Sequence, residues 1–223
     1  MNLIEYADRE MLSMNLANVL AGSLRKALHI HEFASFAVPG GTTPGPVFDM
    51  LNGTDLDWSN VHILLTDERW VAEDDERSNA RLIRERLLVD RAAQARFTPF
   101  YQADQSAAEG CAAQSDALAP LLPLSVVLLG MGADMHTASL FPGAEGLEAA
   151  MASDAEILCP VQPDGQDIAR VTLSARVLDD AMDKHLVIYG AEKRAALERA
   201  EGMARLEAPI AAVLEDITVH WAE

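Results

Sequence analysis

Residues 125–129 form an uncharged run of one serine, two valines and two leucines, and this run constrains the fold more than any other stretch. An apolar run without polar alternation is typical of a parallel strand that is covered on both faces. Gly130 ends the run, and Gly130 and Gly132 open a turn in which backbone can approach a ligand closely. Open α/β sheets bind ligands at this end of their strands. The stretch therefore predicts a buried strand that leads into a functional loop.

Similar apolar runs alternate with amphipathic segments along the 223 residues. The other strand candidates are residues 33–38, 61–66, 97–101, 157–161, 170–173, 185–189 and 218–221, with 157–161 and 218–221 as edge strands. The first helix, residues 8–27, is expected to bury Met11, Met14 and Val19 together with its leucines. The alternation predicts one domain over residues 1–223 with a three-layer α/β fold: a mostly parallel, Rossmann-like sheet with helices on both faces.

Composition excludes several classes of function. The sequence has 17 lysines plus arginines and 35 aspartates plus glutamates, which gives a formal net charge of −18. Nucleic acid and anionic membranes bind basic patches, so neither is an expected partner. No apolar run reaches the roughly 20 residues of a membrane helix and no leader pattern begins the chain, so we expect a cytoplasmic protein. Cys111, Cys159 and the scattered histidines indicate neither a disulfide framework nor a metal site.

Polar loops follow the first two predicted strands. Residues 39–44, Pro-Gly-Gly-Thr-Thr-Pro, expose backbone N–H groups and hydroxyls at the start of a helix, where an anion can bind. A capped turn without a ligand explains the same residues equally well. Asp67, Glu68 and Arg69 end the second strand, either as part of a site or as a solvated strand end.

Later in the chain, Asp134 and His136 form a carboxylate–imidazole pair suited to acid–base chemistry, with a structural histidine as the alternative. Lys193 lies in the first turn of a helix, where acidic residues are preferred, so a bound anion would offset its charge. A solvated lysine is the alternative. We expect these loops and Arg170 to lie at the carboxyl ends of successive strands and to form one cleft, with phosphate binding at one end and proton transfer at the other.

In order along the chain, these segments resemble the motifs of 6-phosphogluconolactonases, in the wider family shared with glucosamine-6-phosphate deaminases. The matching segments are Pro39–Pro44, Asp67–Trp70, Arg77–Asn79, Gly130–Gly143, Arg170–Leu173 and Gly190–Lys193. Arg69 and the Thr-Ala-Ser-Leu-Phe-Pro that follows His136 favour the lactonases, because deaminases usually have Asp-Glu-Tyr and Ile-Ala-Phe-Asn-Glu-Pro there. Met135 departs from the family, which usually has glycine. A glycine there would serve a positive φ or a close backbone approach, which methionine resists by about 1 kcal/mol or more.

The resemblance implies hydrolysis of 6-phospho-D-glucono-1,5-lactone to 6-phosphogluconate in the oxidative pentose phosphate pathway, without cofactor or metal, by a monomer or small homo-oligomer. It implies His136 as general base and Asp134 as the residue that orients it. The substrate-binding residues that it implies are Gly40, Gly41, Thr42, Thr43, Asp67, Arg69, Arg170 and Lys193. The open alternatives are a glucosamine-6-phosphate deaminase or sugar-phosphate isomerase, and a non-catalytic sugar-phosphate sensor. The sequence has no Gly-x-Ser-x-Gly elbow of a serine hydrolase.

Overall fold

The computed structural model describes residues 1–223 and contains a seven-stranded parallel sheet with helices packed against it. The elements are β1 (Asn2–Glu5), α1 (Arg9–Ile30), β2 (Ala34–Val38), α2 (Gly45–Leu51), β3 (Val61–Leu65), β4 (Asp67–Arg69), α3 (Asn79–Arg86), β5 (Arg96–Thr98), α4 (Ala107–Leu118), β6 (Val126–Gly130), α5 (Leu147–Met151), β7 (Leu158–Val161), β8 (Arg170–Leu173), α6 (Ala175–Asp179), β9 (Lys184–Tyr189), α7 (Gly190–Ala200) and β10 (Thr218–Ala222). The main sheet has the order β1-β10-β9-β6-β2-β3-β5. The predicted α/β fold class is confirmed.

The strand order changes direction between β2 and β6, which pair in the register Phe36–Val126 and Ala37–Val127. From β2 the chain moves outward through β3 to β5, whereas from β6 it moves the other way through β9 to β10. Right-handed crossovers on the two sides of such a point lie on opposite faces, so the loops that leave the two central strands separate. Residues 39–44 and 131–141 are these loops, and a cleft is expected between them.

Four residues of β6, Val126 to Leu129, are fully buried, as the uncharged run predicted. They belong to one continuous cluster of 62 buried apolar residues. No helix of the chain is both long enough and apolar enough to cross a bilayer.

Three strands lie outside the main sheet and form a small antiparallel sheet with the order β4-β8-β7. Pro160 lies in β7 at the edge of this sheet, so the prediction of an edge strand there is confirmed. The prediction of an edge strand for residues 218–221 is wrong, because β10 pairs with β9 on one side and with β1 on the other. Residues 2–5 supply the outer strand that the sequence did not indicate.

The expectation that Met11, Met14 and Val19 face the core is also wrong, since they are 45%, 50% and 37% exposed. The buried face of α1 instead contains leucines at every fourth position, interspersed with small residues. Its members are Leu12, Ser13, Leu16, Ala17, Leu20, Ala21, Leu24 and Ala27. Small side chains beside leucine allow a helix to approach a sheet closely, and this favours the leucine face over the methionine face.

A chain of titratable side chains crosses the interior between α1 and the sheet. The Tyr6 hydroxyl is 2.8 Å from His220 Nδ1, and His220 Nε2 is 3.2 Å from His185 Nδ1. His185 Nε2 in turn lies 3.2 Å from Asp183 Oδ1, whose other oxygen accepts the Ser23 hydroxyl at 2.5 Å. With His220 neutral and its proton on Nε2, Nδ1 accepts from the Tyr6 hydroxyl and Nε2 donates to His185 Nδ1. Protonation of His220 at Nδ1 removes the acceptor of the Tyr6 hydroxyl.

The buried position of His220 predicts that the protein loses stability in acid. Burial lowers the pKa of the fully buried His220 to about 4, and repulsion from His185 adds to the effect. An unfolded histidine titrates near 6.5, so the unfolded state binds the proton more readily, and native stability falls as the pH drops from about 6.5 to 4. The pKa difference corresponds to roughly 3 kcal/mol of unfolding free energy.

Denaturant unfolding at several pH values measures this loss, and His220→Gln is expected to show a smaller loss than the wild type between pH 6.5 and 4. An NMR titration of the wild type provides the check that does not depend on a variant. A His220 ring that becomes protonated near pH 6.5 in the folded protein would contradict the account.

Candidate active site

A cleft of about 270 Å³ lies where the loops after β2 and β6 separate. It brings together every residue predicted for the site except Asp134, which contacts His136 from outside the cleft lining. The lining residues are Pro39, Gly40, Gly41, Thr42, Thr43, Pro44, Asp67, Arg69, Asn79, Gly130, Met131, Gly132, His136, Ala138, Arg170 and Lys193. Sequence segments that are far apart along the chain therefore share one cavity.

The loop after β2 presents backbone donors to this cavity. No backbone carbonyl accepts a hydrogen bond from the N–H groups of residues 40–43. Gly41 has a φ of 84°, a left-handed conformation that glycine adopts without strain. The following helix α2 has only seven residues, so the loop itself supplies most of the attraction for an anion.

Asn79 connects three parts of the site. Its Nδ2 donates to the Asp67 carbonyl at 2.9 Å, and its Oδ1 accepts from Arg69 Nη1 at 2.8 Å. Its side chain packs so closely on Gly40 that a Cβ there would overlap it. The Asn79 backbone N–H donates to the buried carboxylate of Glu68 at 2.8 Å, which also accepts from Ala80 and so holds the start of α3. Burial raises the pKa of Glu68, while these backbone donors lower it.

Arg69 and Arg170 face each other across the antiparallel pair β4–β8. Arg69 is held by Asn79, whereas Arg170 donates from Nη2 to Gln166 Oε1 at 2.6 Å and has a buried Nε without any partner. Burial lowers the pKa of Arg170, and repulsion from Arg69 acts in the same direction. Like charges directly opposite each other are unfavourable in a sheet. An anion bound between them would relieve both the repulsion and the unpaired Nε.

His136 is oriented by Asp134. Its Nδ1 lies 2.6 Å from Asp134 Oδ1, and a carboxylate can only accept, so Nδ1 carries the proton in this contact. The imidazole is 29% exposed, and Nε2 is the nitrogen left for a ligand. Gly132 lies against both side chains, and a Cβ at this position would overlap the Asp134 carboxylate and the imidazole.

Hydrogen bonds fix the loop that carries His136. The Gly132 N–H donates to the His136 carbonyl at 3.0 Å. The fully buried Ser139 donates its hydroxyl to Asp67 Oδ2 at 2.5 Å and thereby joins the loop to β4. The imidazole is therefore placed before any substrate arrives, as acid–base catalysis requires.

Met135 adopts the left-handed conformation, with a φ of 66°. Of the two reasons expected for a glycine there, the positive φ is therefore the one that applies. The Met135 N–H donates to the Gly132 carbonyl at 3.0 Å, its carbonyl accepts from the Ile210 N–H at 3.1 Å, and its side chain packs on the core. These contacts hold the loop in shape against a strain of about 1–2 kcal/mol.

Lys193 reaches the same cleft from the beginning of α7. Burial lowers its pKa, and the negative charges of Asp134 and Glu192 oppose this effect. The half-buried Lys193 ammonium is a third cation in the cleft, in addition to Arg69 and Arg170.

The expectation that Arg170 follows a strand's carboxyl end is wrong. Arg170 begins β8 in the small sheet and reaches the cleft because β8 runs antiparallel to β4. Sequence reasoning also left Asn79, Gly132 and Met131 out of the predicted site. Asn79 lies in the Arg-Ser-Asn motif and Gly132 in the Gly-x-Gly turn, so both carried a signal. Met131 carried none.

Gly132→Ala is expected to lower turnover about 100-fold, because the new methyl group displaces the Asp134–His136 pair while the rest of the fold is untouched. Steady-state kinetics with the lactone that the sequence resemblance implies measures the loss. Gly53→Ala is the matched control, since a Cβ at Gly53 meets nothing within 4 Å. Equal activity of the two variants would show that the close contact at Gly132 has no role.

The chain matches the family model described as Glucosamine-6-phosphate isomerases/6-phosphogluconolactonase over residues 7–221. It is 38% identical to a 6-phosphogluconolactonase of Rhizobium meliloti, covering 99% of this chain and 98% of that protein. It is 40% identical to one of Pseudomonas aeruginosa, covering 92% and 88%. The crystal structure of a 6-phosphogluconolactonase from Shewanella baltica OS155 superposes with a TM-score of 0.96 at 33% identity, covering 100% and 98%. Sequence and structure comparisons agree over almost the whole chain.

Proposed function

Because the chain belongs to the glucosamine-6-phosphate isomerase and 6-phosphogluconolactonase family, we propose that it hydrolyses 6-phospho-D-glucono-1,5-lactone to 6-phosphogluconate. This reaction is a step of the oxidative pentose phosphate pathway. One observation carries the proposal: a single cleft contains free backbone donors and cations together with an imidazole that a carboxylate orients. A phosphorylated lactone needs both features, since its phosphate requires donors and its ester carbon requires activated water.

The phosphate binds to the N–H groups of residues 40–43, the hydroxyls of Thr42 and Thr43, and the cations Arg170 and Lys193. The buried and unpaired Nε of Arg170 supports this assignment, because a buried polar atom normally has a partner. A dianion also offsets the cross-strand repulsion between Arg170 and Arg69. Asp67 supplies the only carboxylate in the cleft lining, which suits it to accept hydrogen bonds from sugar hydroxyls.

His136 acts as general base. Its Nε2 removes a proton from a water molecule whose oxygen attacks the lactone carbonyl carbon. The tetrahedral intermediate then collapses, the bond from that carbon to the ring oxygen breaks, and the same proton passes from Nε2 to the ring oxygen. Asp134 stabilises the imidazolium that forms between the two steps. Arg69 also lines the cleft and is the side-chain donor available to the developing oxyanion.

A lactone is an activated ester, so water and one general base account for the reaction without a metal. No cluster of three or more His, Cys, Asp or Glu side chains is arranged to hold a metal ion. The deaminase motif has a glutamate downstream of its histidine. At the corresponding place this sequence has Thr-Ala-Ser-Leu-Phe-Pro, which contains no glutamate.

Hydrolysis of freshly generated 6-phosphogluconolactone, corrected for spontaneous ring opening, tests the proposal. We expect enzyme-dependent formation of 6-phosphogluconate and no release of ammonia from glucosamine 6-phosphate. Ammonia release would instead support the deaminase. Tight binding of 6-phosphogluconate without any acceleration of hydrolysis would support a sensor.

A further inference from the structure

Phe141 lies behind the cleft and contacts two of its functional side chains. Its ring stacks on the His136 imidazole, with 4.1 Å between the centroids and 28° between the planes. The guanidinium carbon of Arg170 lies 5.0 Å from the centroid of the same ring. Phe141 is half-buried against the core and does not line the cleft. One aromatic ring therefore contacts both the general base and a side chain that binds the phosphate, and it does not line the cleft that holds the substrate.

We propose that Phe141 is a positioning residue that fixes the plane of the His136 imidazole and couples it to the anion held by Arg170; this inference rests on the proposed function. Asp134 holds the imidazole at Nδ1 only, so the ring could still swing about that contact. Stacking on Phe141 removes this freedom and keeps Nε2 in one direction. The effect on the rate is large, since a misplacement of about 1 Å can cost about 100-fold.

The coupling follows from how Arg170 is held. Its Nε has no partner, and its other contacts are Gln166 at one end and the Phe141 ring. A phosphate that binds the guanidinium fixes its position and, through the cation–π contact, the position of the ring. Phosphate binding at one end of the cleft thereby orders the imidazole at the other. Binding energy from a remote group then raises kcat and not only affinity.

Kinetics of Phe141→Leu and Phe141→Tyr test the positioning role. Leucine keeps the apolar volume without a flat ring, whereas tyrosine keeps the ring. We expect Phe141→Leu to lower kcat for the phosphorylated lactone about 10- to 100-fold, with KM changed less than about threefold. We expect the kcat of Phe141→Tyr to stay within about threefold of the wild-type value. Equal losses in the two variants would overturn the proposal.

Phe97→Leu is the matched control. Phe97 lies on β5 outside the cleft and has the same type of contact, with the Arg84 guanidinium carbon 5.1 Å from its ring centroid. Loss of an equivalent phenylalanine–arginine contact away from His136 is expected to leave kcat unchanged. A fall in kcat equal to that of Phe141→Leu would show a general effect of destabilisation and would contradict the proposal.

NMR tests the coupling without turnover. Addition of inorganic phosphate, which lacks the carboxylate expected near His136, is expected to move the amide resonances of residues 40–43 in the wild type and in Phe141→Leu. It is expected to move the His136 ring resonances much more in the wild type. An equal His136 response in the two proteins would overturn the coupling, as would the absence of any response at residues 40–43 in the wild type. If the wild type shows both responses yet does not accelerate lactone hydrolysis, the proposed function fails while the coupling stands.

Discussion

Replacing His136 with alanine is expected to lower kcat by about 10²- to 10⁴-fold, because the water then has no base within reach. The expected effect on binding is small, since the substitution removes none of the phosphate donors of residues 40–43 and neither of the cations Arg170 and Lys193. Initial rates with fresh lactone give kcat, and calorimetric titration with 6-phosphogluconate gives Kd. Together, kcat and Kd distinguish a loss of catalysis from a loss of ligand binding.

His31→Ala is the matched control for this variant. His31 is an exposed histidine immediately after α1, at the amino end of the sheet and away from the cleft. Turnover of His136→Ala close to that of His31→Ala would remove the assignment of the general base. A His136→Ala protein that no longer binds 6-phosphogluconate would instead place the imidazole in binding.

Arg170→Ala and Lys193→Ala are each expected to raise KM for the phosphorylated lactone about 10- to 100-fold, the range for loss of a hydrogen bond to a charged group. The same variants are expected to change KM little for glucono-1,5-lactone, which has no phosphate. Steady-state kinetics with both lactones therefore tests the phosphate contact itself. For Arg170 a fall in kcat is expected in addition, because its contact with Phe141 is lost.

Arg199→Ala controls for the loss of one positive charge, since Arg199 is exposed on α7, the helix that also carries Lys193. Its KM for both lactones is expected to match the wild type. Equal increases in KM for the two lactones in Lys193→Ala and Arg170→Ala would contradict the phosphate assignment.

The sequence predicted most of the cleft because parallel strands bring their carboxyl ends to one edge of the sheet. The run 125–129 is a fully buried strand core apart from its first residue, so the loop with His136 had to leave the sheet at that edge. The loop 40–43 follows β2 at the same edge, next to β6. Here local pattern and topology lead to the same geometry.

Arg170 could not be placed in this way. Its segment has the composition of a strand, but nothing local shows that the strand belongs to a separate antiparallel sheet. The pairing with β4 depends on contacts between residues far apart in the chain, and this pairing brings Arg170 opposite Arg69. The direction of the strand, and therefore the end at which Arg170 lies, is a property of the tertiary structure.

Asn79 and Phe141 show a second limit. Both residues lie in segments that resemble the family's motifs, Arg77–Asn79 and Gly130–Gly143, but neither motif shows what the two side chains contact. Their roles depend on which side chains approach them, Gly40 and Arg69 in one case and His136 and Arg170 in the other. Such contacts have no periodicity along the chain, so pattern alone does not reveal them.

The central claim is that the cleft binds the phosphate at the loop of residues 40–43 and presents the ester carbon to His136. A crystal structure with bound 6-phosphogluconate measures this most directly. We expect phosphate oxygens on the N–H groups of residues 40–43 with Arg170 and Lys193, and the product carboxylate within about 3 Å of His136 Nε2. A product bound with its phosphate on His136, or outside this cleft, would contradict the account.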